Sequence, residues 1–357
     1  MTTLAAYDVG MSAIPATFRA YVAEKAGDEV ERGVREFRET DLPDGEVEIR
    51  VHWSSVNFKD GLATRADGKV ARISPLIPGI DLAGEVVASS DASIEVGDNV
   101  LAHGYELGVS RHGGYSEYER VPAGWVVPMP LGLLARDAMA VGTAGFTAAM
   151  SVVALEERGL DPADGPVLVT GASGGVGGTA LAILADRGYE VWAATGKPDE
   201  AARLLTMGAA GVLSRDEVTG EGKPLESERW AGAVDAVGAA TLPYVLRTLR
   251  TGAAVAACGN ASGAKFETTV FPFILRGAAL LGMDSVNMPI GRRRELWARL
   301  ATDLRPRDLG LHCSEVTLDT LDEALDAIVA GGARGRWIVR IGESGGPAPP
   351  KRHAPER

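Results

Sequence analysis

The sequence predicts an α/β fold in which a doubly wound parallel sheet is joined to a second, β-rich domain. Three observations predict it. From about Leu131 onward, short apolar strands alternate with helical stretches, the pattern of βαβ units. One of those strands runs through a glycine-rich turn directly into a helix. Before Leu131 the chain instead shows half-buried strand alternation, punctuated by Pro75, Pro78, Gly79, Gly113 and Gly114.

In chain order, regular structure is expected from Phe18, after an N-terminal extension over 1–17. Val47, Ile49, Val51 and Trp53 alternate with polar residues and mark a strand. The runs 81–88 and 96–101 are similar, the second opened by a Gly97-Asp98 turn. The later part reads as helix 137–157, strand 166–170, helix 177–187, strand 189–194 and helix 198–207. Strands 211–213 and 233–236, helix 242–249 and strand 253–258 follow, then strand 279–284. Amphipathic helices at 292–303 and 321–329 precede a closing strand, 336–341, expected to return to the first domain. The Pro/Gly-rich end, 342–357, reads as a disordered tail.

Composition narrows the function. The 357 residues suit two domains on a prior of roughly 150 residues each. Lys and Arg number 36 against 48 Asp and Glu, a net charge of -12, which disfavours gripping nucleic acid. No apolar run is read as approaching the ~18 residues of a membrane span. The first ten residues carry no basic cluster ahead of an apolar stretch, so no signal peptide is read and a cytoplasmic location is expected. Two cysteines, Cys258 and Cys313, support neither a disulfide scaffold nor a cysteine-built zinc site.

The segment from Val167 to Gly177, VLVTGASGGVG, carries the most chemistry. An apolar strand, a glycine turn and a helix start bring backbone N–H groups to the positive end of a helix, where a pyrophosphate can sit. Ser173, Gly174, Gly175 and Val176 lie in that turn, so a dinucleotide is expected. An NAD site places Asp or Glu at the end of the next strand to bind the ribose 2′-OH. Here that strand ends in Thr195-Gly196-Lys197, and Arg215 follows the strand after it. A hydroxyl and two cations suit a 2′-phosphate, pointing to NADPH. Taken singly, Lys197 and Arg215 read equally well as solvated surface charges.

Several longer stretches, in this order, resemble the zinc-free medium-chain dehydrogenase/reductases, and within them the acrylyl-CoA reductase (NADPH) and YhdH-type quinone oxidoreductase branch. They are SSVNFKD from Ser54, PGIDLAG from Pro78, GTAGFTA from Gly142, the glycine loop, and ERWAGAVD from Glu228. AACG from Ala256, PFILRG from Pro272 and DSV from Asp284 complete the series. The resemblance implies a GroES-like catalytic domain over 18–135 and 305–341, and a Rossmann domain over 136–304. It also implies NADPH in the cleft between them. Carried over position by position, the cofactor would touch Phe58, Ser173 to Val176, Thr195, Gly196, Lys197, Arg215, Asn260, Ile274, Ser285 and Arg336. A homodimer paired through 279–289 is expected as well.

Zinc-dependent relatives place Cys, His and Glu where this chain has Asn57, Ile80 and Asp81, and neither an amide nor an aliphatic chain is a useful zinc ligand. No metal site is therefore assigned, and reduction of an activated C=C fits better than alcohol oxidation. The implied substrate is a short 2-enoyl-CoA thioester. A quinone or enone reductase and a non-enzymatic NADPH-binding protein are the alternatives.

The chain departs from the family in two places. Phe58 stands where relatives have Tyr, so the ring keeps no proton to donate. Asn57, Lys59 and Asp60 are the nearest polar candidates for catalysis, and each also reads as structural: a loop-holding amide and a Lys–Asp surface pair. Between Ala102 and Tyr115, His103-Gly104-Tyr105 and the residues after them replace the relatives' T-G-W-G pattern, in a loop expected at the substrate mouth. His103 and His112 read there either as functional groups or as hydrogen-bonded loop residues. Arg292, Arg293 and Arg294, with Arg72 and Arg111, are candidates for the CoA phosphates or are simply solvated charges.

Overall fold

The computed structural model describes residues 12–307, 309 and 313–342. The expected tail beyond Gly342, and residues 1–11 of the expected N-terminal extension, lie outside the described residues.

The N-terminal part forms β1 (Thr17–Ala26), β2 (Glu29–Arg38), β3 (Val47–Val56), α1 (Phe58–Ala63), β4 (Asp81–Ser89), β5 (Asn99–His103), β6 (Tyr118–Val121) and β7 (Val127–Pro128). Then come α2 (Ala135–Glu157), β8 (Val167–Thr170), α3 (Gly175–Asp186), β9 (Val191–Thr195), α4 (Ala201–Thr206), β10 (Gly211–Ser214), β11 (Trp230–Asp235), α5 (Leu242–Thr248) and β12 (Leu249–Ala257). The chain ends with α6 (Phe271–Arg276), β13 (Ala279–Gly282), α7 (Ile290–Leu300), β14 (Cys313–Thr317), α8 (Leu321–Val329) and β15 (Arg336–Arg340).

Six strands form a parallel sheet in the order β10-β9-β8-β11-β12-β13. Every residue of β8 and of β11 is buried, as strands covered on both faces require. The order reverses between β8 and β11, and it is at the carboxyl ends of strands at such a switch point that a crevice opens. A second sheet runs β14-β15-β3-β4-β5-β7, with β6 also paired to β3; β15 returns antiparallel to β3 and brings Trp337 opposite Val56. β1 and β2 form a separate hairpin.

α2 joins the two sheets. Met139, Val141, Phe146 and Val152 share one buried cluster with Leu101 and Val127 of the β-rich part and with Val167 and Val169 of the parallel sheet. This helix corrects the expectation that no apolar run approaches membrane-span length. Its 23 residues include a window of mean hydropathy 1.7, but 78% of that window is buried inside the protein, which makes it a core helix. It is kinked at Gly142, which holds φ +52° and ψ −166°.

Candidate active site

A cleft of about 600 Å³ lies at the switch point and is lined from both sheets. Its Rossmann wall starts at the glycine loop. Gly171 takes φ +60°, open to glycine, and a Cβ on Gly177 would collide with the Gly171 carbonyl oxygen. Helical bonding in α3 begins with Gly178 N–H donating to the Gly174 carbonyl at 2.9 Å. The N–H groups of Gly175, Val176 and Gly177 therefore precede the ladder and stay available to an anion. A Cβ on Gly175 would stand 2.9 Å from Arg336 Cδ, so the loop also passes close under the last strand. A pyrophosphate fits this cradle.

The tip of β9 gathers the polar groups expected to meet a 2′-phosphate. Thr195 Oγ1 donates to Ser173 Oγ at 2.9 Å and accepts from Lys197 N–H at 3.1 Å. The Arg215 guanidinium lies against the Gly196 backbone, where a Cβ would come 2.6 Å from Cζ. Lys197 Nζ donates to the Ala333 carbonyl, and burial lowers its pKa. Thr195, Gly196, Lys197 and Arg215 all line the cleft, as do Phe58, Asn260, Ser285 and Arg336. Ile274 does not: on the short α6, it is 67% exposed and outside the cleft lining.

On the β-rich wall a buried carboxylate organises the floor. Asp81 accepts from Ser55 Oγ at 2.5 Å, Asn57 Nδ2 at 2.8 Å, Thr143 N–H at 3.0 Å and Thr143 Oγ1 at 2.5 Å. Arg336 closes the group, donating to Ser55 Oγ at 2.8 Å and to Asn57 Oδ1 at 3.2 Å. Burial alone would raise the Asp81 pKa, but the positive charge of Arg336 and the hydroxyl donors outweigh it and hold the carboxyl below its ordinary value. Asp81, Ser55 and Thr143 were not among the residues expected to act. The GTAGFTA stretch held the signal, because its first glycine breaks α2 and turns Thr143 onto the carboxylate.

The three polar candidates separate. Asp60 is fully buried and lies outside the cleft lining. Its carboxylate accepts from Ile80 N–H at 2.9 Å and from Asn57 N–H at 2.8 Å, which caps α1; burial foremost, then the nearby Asp81 charge, pushes it up to about 7. The Asn57 amide is engaged on both sides, by Asp81 and by Arg336. Lys59 lines the cleft on the first turn of α1. Phe58, 41% exposed, sits beside it.

The 102–115 loop departs from its expected place. None of its residues lines the cleft; it packs behind the 285–293 segment instead. Both histidines are buried and hydrogen-bonded: His112 Nδ1 accepts from Ile77 N–H at 3.1 Å, and His103 Nε2 accepts from Trp297 Nε1–H at 2.8 Å. The arginine run is not a phosphate cluster. Arg292 pairs with Glu157 at the surface, Arg293 is completely buried, and Arg294 donates to the Val126 carbonyl at 2.9 Å. Arg111 lies over the Trp125 ring, away from the cleft, which Arg72 does not line either.

Among the described residues no three His, Cys, Asp or Glu side chains come together as a metal site. The donor set at the zinc position is an engaged amide, the aliphatic Ile80 and a carboxylate already saturated with hydrogen bonds, which does not fit zinc.

Residues 43–131 match the alcohol dehydrogenase GroES-like domain and residues 175–302 the zinc-binding dehydrogenase domain. The chain is 48% identical to the acrylyl-CoA reductase AcuI of Ruegeria pomeroyi over 327 residues, 91% of this chain and 99% of that one. Among solved structures it resembles the yhdH oxidoreductase of Salmonella enterica in complex with NADP, at 46% identity and a TM-score of 0.89, covering 91% of this chain and all (100%) of the other. The Bacillus subtilis protein yhfP with NAD bound is equally similar, at 47% identity and a TM-score of 0.89 with the same coverage. The chain belongs to the medium-chain dehydrogenase/reductase family, in the branch of the acrylyl-CoA reductases and the YhdH-type quinone oxidoreductases.

Proposed function

We propose that the protein is an NADPH-dependent, zinc-independent reductase of the C=C bond of a short 2-enoyl-CoA, of the acrylyl-CoA to propanoyl-CoA type. The observation that carries this reading is that one cleft is lined both by Lys197 and Arg215 of the parallel-sheet part and by Phe58 and Lys59 of the β-rich part. The 48% identity to a protein named acrylyl-CoA reductase supports the choice of substrate.

NADPH, when bound, supplies hydride to the β-carbon of the unsaturated thioester. The protein's own groups hold and orient. The glycine loop and the first turn of α3 meet the pyrophosphate, and Thr195, Lys197 and Arg215 meet the 2′-phosphate. Asn260, Ser285 and Arg336 line the rest of the cofactor path. Negative charge then develops on the thioester oxygen; on the β-rich wall Arg336 is engaged with Ser55 and Asn57, and Lys59 is a second cation able to meet that charge and to return a proton. Phe58 gives a flat apolar face with no proton of its own. Asn57 positions this wall through Asp81 and Arg336, and Asp60 holds α1 in place.

A quinone or enone reductase is the second reading, favoured by one observation: the run from Arg292 to Arg294 does not face the cleft, so it offers nothing to CoA phosphates. A homodimer is part of the proposal. β13 is the edge of the parallel sheet, and Val270, Phe271, Ile274, Leu275 and Leu280 beside it expose apolar side chains that a second copy would cover. A cytoplasmic location without membrane or nucleic-acid partners completes it.

Oxidation of NADPH with acrylyl-CoA, crotonyl-CoA and a simple quinone, with NADH as control, tests the reading. Turnover confined to the CoA esters is the expected result. Faster turnover of the quinone would replace it with the second reading, and NADPH binding with no oxidation of any acceptor would rule out both.

A further inference from the structure

Behind the cleft, Arg293 of α7 is completely buried without a carboxylate in salt-bridge reach among the described residues. Its Nη2 donates to the Ser285 and Val286 carbonyls, each at 3.0 Å, and its Nη1 to the His103 carbonyl at 2.8 Å. Nη1 also stands 2.9 and 3.0 Å from the two ring nitrogens of His103, an approach that only the face of the imidazole allows. The guanidinium further lies 4.4 Å from the Tyr105 ring centroid and 5.4 Å from that of Phe146. Gly104, at φ +76°, leaves room for it: a Cβ there would lie 3.0 Å from Nη1 and 3.1 Å from the Val286 oxygen.

His103 carries the connection to the floor. Trp297 Nε1–H donates to its Nε2, so the neutral ring keeps its proton on Nδ1, which faces Thr143 Oγ1 at 3.3 Å. Thr143 is in turn held by Asp81. One unbroken set of contacts therefore runs from the Ser285–Val286 wall of the cleft, through Arg293 and His103, to the Thr143–Asp81 floor. A guanidinium buried without a counter-ion is costly, and its Nε has no hydrogen-bond partner among the described residues. The compensation it receives comes from backbone carbonyls at the cleft wall, which fixes where that wall stands.

We infer that Arg293 and His103 are positioning residues that set the Ser285–Val286 wall against the Thr143–Asp81 floor, and so set the alignment of the nicotinamide with the substrate. The inference rests on the proposed NADPH-dependent reading. It also gives the altered 102–115 loop a route to the site that it does not itself line.

The test uses Arg293→Lys and, as a variant that removes the ring standing between Arg293 and Thr143, His103→Thr. Five quantities are read in the 357-residue protein: emission of bound NADPH, affinity for 2′,5′-ADP, kcat and KM with acrylyl-CoA, and the isotope effect with C4-deuterated NADPH. Expected are an altered nicotinamide emission, unchanged 2′,5′-ADP affinity, a kcat lowered about 10-fold or more with a larger isotope effect, and a KM within about twofold of the unaltered protein. If either variant folds and keeps both the emission and the isotope effect of the unaltered protein, the inference is overturned. If the unaltered protein binds NADPH but reduces nothing, the proposed reaction fails while the emission still decides the positioning role. Absence of NADPH binding overturns both.

Discussion

A Cβ on Gly142 would stand 2.7 Å from Asp81 Oδ2, so the break in α2 and the buried carboxylate share one space. It would also press on Ser55 Oγ and the Arg336 guanidinium. The same glycine holds φ +52°, which side chains rarely adopt, and the turn it makes aims both Thr143 donors at Asp81. Backbone shape and site electrostatics are here one arrangement.

Gly142→Ala is therefore expected to destabilise the protein by roughly 2–4 kcal/mol, combining the backbone strain with displacement of a buried hydrogen-bonded group. Urea denaturation measures it. A loss under about 0.5 kcal/mol, the level of an ordinary surface change, would mean that the floor accommodates a methyl group and that the break in α2 serves another purpose.

Lys197→Ala and Arg215→Ala are each expected to weaken NADPH binding about 10-fold to 100-fold while leaving NADH affinity within about twofold. Both cations line the cleft near the tip of β9, where the proposed reading puts the 2′-phosphate, the one group that distinguishes the two cofactors. Fluorescence titration with both nucleotides checks this. Equal losses for NADPH and NADH would place these residues on shared parts of the cofactor.

The parallel sheet was legible in the sequence because its strands are short apolar runs between helical periods, and the turn from β8 into α3 because so tight a turn needs glycines. Strand ends moved by a few residues: the run expected at 96–101 begins at Asn99, since Gly97-Asp98 forms the turn before it. The Asp81 floor was not legible. It assembles Ser55, Asn57, Asp81, Thr143 and Arg336 from four separate parts of the chain, and no local pattern marks a carboxylate whose donors arrive from such distances. The 102–115 loop misled for a related reason: its polar side chains look exposed in sequence, yet Arg293 and Trp297, nearly two hundred residues on, bury His103.

Phe58→Tyr is expected to raise kcat with acrylyl-CoA by up to about 10-fold, because a phenol at this exposed cleft position adds a proton donor beside Lys59. The variant's solvent isotope effect should change with kcat, as a proton step demands. Unchanged kcat and isotope effect would show that protonation is not limiting in the natural protein.

Glu119 offers a pH test away from the cleft. It lies fully buried on β6 opposite Ile49; one carboxylate oxygen accepts from Arg120 N–H at 3.1 Å and the other has no hydrogen-bond partner among the described residues. The Arg120 guanidinium turns instead to Glu39 and Glu48. Burial consequently pushes the Glu119 carboxyl up to about 8, against 4.5 ordinarily. Between those values the native protein holds a proton that the unfolded chain has released, so this residue's contribution to stability falls as pH rises through the window and levels off above it. Glu119→Gln cannot titrate. Relative to the natural protein it should gain stability from about pH 5 to about pH 8 and hold that gain above, with the difference in melting temperature changing in the same way. A difference in melting temperature that stays constant across the range would mean that water or a rearranged Arg120 already compensates the charge.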